Sequence, residues 1–192
     1  MGIASPRSTT AEQKGWKKDF GVVGPITLSR HGKKRLITKD SLDDLANKLE
    51  SIETGLSKAC GCYVFAKKAG KGLVPWYVGQ ACKRPLGDEA LNPSNREKYN
   101  KVLDLKGSPV MFFLPLRTPS GKLRKRPKGV GRLSALNFLE RWLIAAALER
   151  NPKLTNNKET RFLRSIHVTG VLNARKGGAT KDSRALCLTL WP

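Results

Sequence analysis

The sequence predicts an α+β domain, a small and mainly antiparallel central sheet flanked by helices, with an N-terminal extension and extra C-terminal strands. Three stretches carry that expectation. Two β-prone blocks, Gly61-Cys62-Tyr63-Val64-Phe65 and Trp76-Tyr77-Val78-Gly79-Gln80, are separated by residues 66–75, which hold Lys67, Lys68, Gly70, Lys71, Gly72 and Pro75. That composition is turn chemistry, so the blocks read as a β-hairpin. Pro109 to Leu114 is an apolar run of strand length. Leu133 to about Arg150 is the strongest helical pattern in the chain, stopped by Asn151-Pro152.

The remaining elements follow in chain order. Residues 1–20 are polar and basic without periodicity and read as a flexible arm. Residues 21–58 read as a strand pair and a helix packed on the core. Gly24-Pro25 opens a strand, Ile26-Thr27-Leu28, which turns at His31-Gly32 and returns through Leu36-Ile37. Asp40-Ser41 has the chemistry of a helix cap, and Leu42, Leu45, Leu49 and Ile52 follow at helical spacing. The main domain spans 59–192. After the hairpin, Asn92-Pro93 to Leu105 reads as a short helix carrying Tyr99, Val102 and Leu103. Residues 117–132 read as a loop with seven cations (Arg117, Lys122, Arg124, Lys125, Arg126, Lys128 and Arg132) and no acid. A last strand pair, Ile166 to Val171 and Ala185 to Leu190, flanks a basic, Gly-rich turn.

Size and charge narrow the function. At 192 residues there is room for one good-sized domain with an arm. Lys and Arg number 37 against 15 Asp and Glu, a formal charge of +22. So basic a chain favours a polyanionic partner, most often nucleic acid. No run approaches the roughly 18 apolar residues that span a bilayer. There is no apolar signal-peptide core, and Pro6 stands where a myristoylation signal needs Ser or Thr. A membrane partner is therefore not expected, and the protein is expected in the cytoplasm, at the nucleoid if bacterial, rather than secreted. Cys60, Cys62, Cys82 and Cys187 lack Cys-x-x-Cys spacing, and the only histidines, His31 and His167, have no partner at ligand spacing. That argues against zinc and for free thiols.

Two features point to chemistry. Side chains alternate across a strand, so Tyr63 shares a face with Phe65 and Tyr77 shares one with Gly79, which leaves open space in front of Tyr77. Two phenols beside a basic surface suit phosphate chemistry; the alternative is a pair of ordinary core tyrosines. On the helix, Leu133, Leu136, Leu143, Ile144 and Ala147 fall within roughly 60° of Glu140. Glu140 therefore sits inside an apolar arc, where a bare carboxylate costs several kcal/mol. An ion pair, protonation or a bound metal would each relieve it. Phe138 and Trp142 occupy the opposite face, so the helix is expected to be apolar on two sides and central.

In this order the features resemble the GIY-YIG nuclease family. Gly61-Cys62-Tyr63 is similar to its first block, with Cys for Ile, and Tyr77-Val78-Gly79 to its second, with Val for Ile. Leu139-Glu140-Arg141-Trp142-Leu143-Ile144 resembles the helix bearing the family's metal-binding glutamate, and Asn151 to Asn156 the segment ending in its asparagine. The resemblance covers about residues 59–157, roughly half the chain. It implies metal-dependent cleavage of a phosphodiester in DNA, with RNA left open as a substrate. Tyr63 and Tyr77 would activate and orient water, Glu140 would hold Mg²⁺ or Mn²⁺, and Asn156 (or the adjacent Asn157) would fix local geometry. The family arginine, about ten residues after the second tyrosine, has no counterpart near Gly87 and Asp88. Arg84, displaced by a shifted turn, is the expected substitute, with Arg96 and Lys98 as alternatives. Lys83, Arg96, Lys122, Arg124, Lys125, Arg126, Lys128 and Arg132 are the expected contacts to the nucleic-acid backbone. A non-catalytic nucleic-acid-binding protein on the same scaffold is the competing reading.

Overall fold

The computed structural model describes residues 18–70, 72–103, 107–125, 133–156, 160–165, 168 and 178–190. Its sheet contains β1 (Asp19–Phe20), β2 (Val23–Thr27), β3 (Gly61–Ala69), β4 (Gly72–Ala81) and β5 (Ser108–Arg117). The strands run in the order β1-β5-β3-β4, and β2 also pairs with β5. Every pairing is antiparallel. The helices are α1 (Asp40–Ile52), α2 (Leu86–Ala90), α3 (Pro93–Leu103), α4 (Ser134–Arg150), α5 (Thr160–Ser165) and α6 (Lys181–Leu190). The architecture is thus α+β with an antiparallel sheet and helices.

Strand alternation divides the core into two sides. Tyr63, Phe65, Met111 and Phe113 pack with Leu45 and Leu49 of α1, Leu86 of α2 and Tyr99 of α3. From the other face, Val64 and Val78 meet Ile144 and Leu148 of α4 with Leu154, and Cys62 meets Leu136. Each fully buried Leu or Phe contributes about 1.5–3 kcal/mol relative to exposure. Gly61 permits the closest strand approach: a Cβ there would run into the Leu114 carbonyl oxygen of β5.

The hairpin forms, but its strands run well into the stretch expected as a turn. Lys67 pairs with Val74 and Lys68 with Leu73, beyond a register shift at Phe65/Ala66. Lys67 is held there because its ammonium lies 3.4 Å from the Val102 carbonyl and 5.4 Å from the Trp76 ring centroid. The turn itself is shorter, at Gly70, which has a left-handed φ of 59°.

Several expectations are corrected. Asp19 and Phe20, assigned to the flexible arm, pair with Arg117 and Leu116. The strand at Ile26 pairs with β5, and its expected return contributes only a His31–Leu36 bridge. Asp40 is the first helical residue rather than a cap, while the Ser41 hydroxyl accepts the Thr38 N–H at 2.9 Å. Ile52, the last residue of α1, is exposed. Phe138 and Trp142 are 74% and 57% exposed, so α4 is a covering helix and not a central one. His31 is paired with Asp44 at 3.1 Å, the ordinary fate of a surface histidine.

The expected strand Ala185–Leu190 lies within helix α6. Leu186, Leu188 and Leu190 alternate like a half-buried strand, but the Thr180 hydroxyl accepts the Ser183 N–H at 3.1 Å and caps a helix. All three leucines are exposed. Of the other expected strand, 166–171, only Val168 lies within the described residues. No described helix is long and apolar enough to cross a membrane.

The described part of the basic tract, residues 117–125, is paired to the sheet rather than a loop. Arg117 belongs to β5 and its guanidinium grips Glu53 at 2.6 and 3.0 Å, an acid supplied from the end of α1. After a turn at Gly121, the Arg124 N–H bonds to the Leu116 carbonyl, and Cys60 donates back to the Arg124 carbonyl, both within 2.9 Å. Arg126, Lys128 and Arg132 lie outside the described residues.

Candidate functional site

The hairpin register sets Tyr63 opposite Gly79 and Phe65 opposite Tyr77, so the two phenols share one face. Their ring centroids are 6.3 Å apart. Gly79 does not leave open space before Tyr77. The Tyr63 ring and hydroxyl fill it, and a Cβ at Gly79 would overlap them. Tyr63 is the inner phenol, 1% exposed, and Tyr77 the outer, half-buried one. Tyr99 props Tyr77 from behind at 5.7 Å and itself stacks on Phe65 at 4.0 Å. All three tyrosines of the chain therefore form one cluster.

These phenols open on a cleft of about 700 Å³. Gln80 and Glu140 line it from the α4 side, and Tyr63, Tyr77 and Glu89 from the other. Because Tyr77 and Gln80 project from opposite faces of β4, the cleft wraps over the end of that strand. Glu140 is half-buried, and its Oε2 accepts from the Gln80 carboxamide at 2.7 Å. The same Gln80 nitrogen donates to Asn137 at 2.8 Å. The apolar arc read from the sequence is real at Leu136 and Ile144, but Glu140 faces the cleft between them.

Asn156 acts on the β4 backbone. Its Oδ1 accepts the Val78 N–H at 2.9 Å and its Nδ2 donates to the Val78 carbonyl at 2.7 Å. Thr155 and Asn151 bond to the carbonyls of Trp76 and Pro75. The segment after α4 thus sheathes the outer edge of β4 and fixes the residue next to Tyr77. The neighbouring Asn157 lies outside the described residues.

The cations divide. Lys83 and Arg84 precede α2 and line the cleft, as do Lys98 and Arg141. Arg84 is 62% exposed, with its Nε 4.0 Å from a Glu89 oxygen, so it leans on that acid rather than on the phenols. Lys98 is closer to the chemistry, its ammonium 4.9 Å from the Tyr77 ring centroid. Arg96 is half-buried on α3 and does not line the cleft. Lys122, Arg124 and Lys125 lie outside it too, although Ala59, which bridges Lys125, also accepts the N–H of Leu86, two residues beyond Arg84.

Burial sets the electrostatics. It raises the Tyr63 phenol well above its ordinary range, and the Tyr77 phenol and Glu89 add to the effect. Burial, then Glu140 and Glu89, push Tyr77 up to about 12, against a hydrogen bond from Tyr63. Both phenols are therefore neutral at pH 7 in the protein alone. The family resemblance implies that these phenols activate water, but burial and two carboxylates hold both in the neutral form. Burial also raises the Cys62 thiol, which donates to the Leu136 carbonyl at 3.7 Å.

Glu89 is the site residue that sequence reading missed. Its Oε1 accepts from Asn92 Nδ2 at 3.1 Å, and burial raises its carboxyl above the usual range. It stands one residue past the positions where an arginine was sought, and no spacing rule singles out an acid there. Among the described residues there is no group of three His, Cys, Asp or Glu able to hold a metal. Comparison of the chain with protein-family models, with curated proteins and with solved structures finds no match, so the GIY-YIG resemblance rests on the residues themselves.

Proposed function

We propose that the chain is a metal-dependent endonuclease that hydrolyses phosphodiester bonds in DNA. The observation carrying this reading is that Tyr63, Tyr77, Glu140 and Asn156, from separate stretches of sequence, converge on one cleft rimmed by Lys83, Arg84, Lys98 and Arg141. The donor set suits a hard cation of the Mg²⁺ or Mn²⁺ type, which takes one or two carboxylates and completes its shell with water and phosphate. Glu140 would hold it, with Gln80 fixing one carboxylate oxygen. Such an ion supplies positive charge to the phosphate and the leaving oxygen.

The chain's own groups would do the rest. Tyr77, the outer phenol, orients the attacking water. Tyr63 is a positioning residue: it is too buried to meet water directly, and Asn95 Nδ2 anchors its hydroxyl at 2.9 Å. Lys98, Arg84 and Lys83 neutralise the incoming phosphate. The test is incubation with supercoiled plasmid and with branched DNA in Mg²⁺, Mn²⁺ or EDTA. Nicking is expected only with metal, and Glu140→Gln is expected to abolish it while DNA affinity stays within about threefold. Wild-type rates in that variant would sink the assignment.

One observation favours a second reading, a non-catalytic nucleic-acid-binding protein on this scaffold. Arg84 leans on Glu89 and the family arginine has no direct counterpart. Metal-independent binding with no cleavage of any DNA or RNA form would decide for it.

A further inference from the structure

A carboxylate in a cleft that receives a phosphodiester repels its substrate unless it has a use. Glu140 has one under the nuclease reading, and Glu89 has none assigned. Yet Glu89 is carefully held. Asn92 fixes its Oε1, and Asn92 Oδ1 also accepts the Asn95 N–H at 2.9 Å. Asn95 Nδ2 then donates to the Glu89 carbonyl at 2.8 Å and to the Tyr63 hydroxyl at 2.9 Å. One small network therefore sets the Glu89 carboxylate and the inner phenol relative to each other.

A hydrolytic site needs a base. Both phenols are neutral at pH 7. His31 is engaged by Asp44, and no histidine lines the cleft among the described residues. We infer that Glu89 is the catalytic general base of this site, taking the proton of the water that Tyr77 orients. In that step the water O–H bond breaks and its proton passes to the Glu89 carboxylate. The water oxygen's electron pair forms a new O–P bond. The P–O bond to the leaving sugar oxygen breaks with its electron pair, and that oxygen takes a proton from solvent. Glu89 then returns its proton to bulk water.

The surroundings suit the task. Burial raises the Glu89 carboxyl above its ordinary range, which makes its carboxylate a stronger base, while Arg84, Asn92 and Lys98 oppose that rise. Tyr63 and Tyr77 face it from the sheet, and Glu140 and Arg141 line the same cleft from α4.

This inference rests on the nuclease reading, and the experiment separates the two. Single-turnover cleavage of plasmid with Mn²⁺ is followed across acidic to neutral pH for the wild type, Glu89→Gln and Glu89→Asp, with DNA affinity measured in EDTA. Glu89→Gln is expected to cut at least about a hundredfold more slowly and to lose the acid limb of the log rate–pH profile. Glu89→Asp should cut slowly but keep that limb, and both variants should bind DNA as tightly as the wild type or tighter. An active wild type whose acid limb survives in Glu89→Gln overturns the base assignment alone. So does a Glu89→Gln variant that loses rate only through weaker DNA binding. A wild type that cuts nothing overturns the nuclease reading and the base with it.

Discussion

At Gly79 the geometry allows no side chain, because the Tyr63 ring and hydroxyl occupy the space where a Cβ would go. Gly79→Ala forces either the phenol or the β4 backbone to move. Overpacking of this kind costs about 1–3 kcal/mol, so urea denaturation should show a lower midpoint at unchanged slope. Under the nuclease reading DNA cleavage should fall too, since Tyr63 packs beside Tyr77. Alternation in the sequence marks Tyr77 and Gly79 as sharing a face, but only the hairpin register sets Tyr63 opposite Gly79 and fills the space expected to be open. It does not mark Glu89. That acid matters only because the single turn of α2 and the Asn92–Asn95 network bring it against Tyr63.

Among the elements, the stretch after α4 has the largest effect on the site for its size. It adds hydrogen bonds to the outer edge of β4 without being a strand, and Asn156 contributes two of them at Val78. Asn156→Ala leaves a buried N–H and a buried carbonyl unpaired, each costing about 1–3 kcal/mol. Reduced stability should be measurable by urea melts, and faster hydrogen exchange at the Val78 amide should accompany it. Asn156→Asp, which can still accept but not donate, should recover part of the loss. Elements with a strong period were legible: the hairpin, β5 and α4 stand where their apolar spacing puts them. Two elements were not. Leucines at Leu186, Leu188 and Leu190 alternate as in a strand, and only the Thr180 cap explains the helix. Residues 122–125 carry loop composition, yet their backbone bonds to Leu116 and Cys60 lay them beside β5.

Over the whole molecule the excess of positive charge dominates any encounter with a polyanion. Arg124 and Lys125 stand outside the cleft on the tract that bridges to Ala59, near the start of α2. Under the nucleic-acid reading, changing both to Gln should weaken binding to every sequence alike, because phosphate contacts carry no sequence information. The slope of log affinity against log salt should become shallower by about 0.9 for each phosphate that is no longer neutralised. Anisotropy titrations of labelled duplexes over a salt series measure it, and an unchanged slope would place both side chains in solvent.

The gathering of all three tyrosines into one buried cluster also gives the protein an optical property. No surface tyrosine is left to ionise at the ordinary pH near 10. The folded protein should therefore show almost no ultraviolet phenolate signal as pH rises through that range. Tyr77 ionises only at about 12, and Tyr63 and Tyr99 are held well above the usual value by burial. In the unfolded chain all three titrate normally, so the folded state binds more protons above pH 10. Stability should fall steadily as pH climbs from about 10 toward 12. A sudden gain of phenolate absorbance on alkaline titration would then report collapse of the site itself, with no label and no background from elsewhere in the chain.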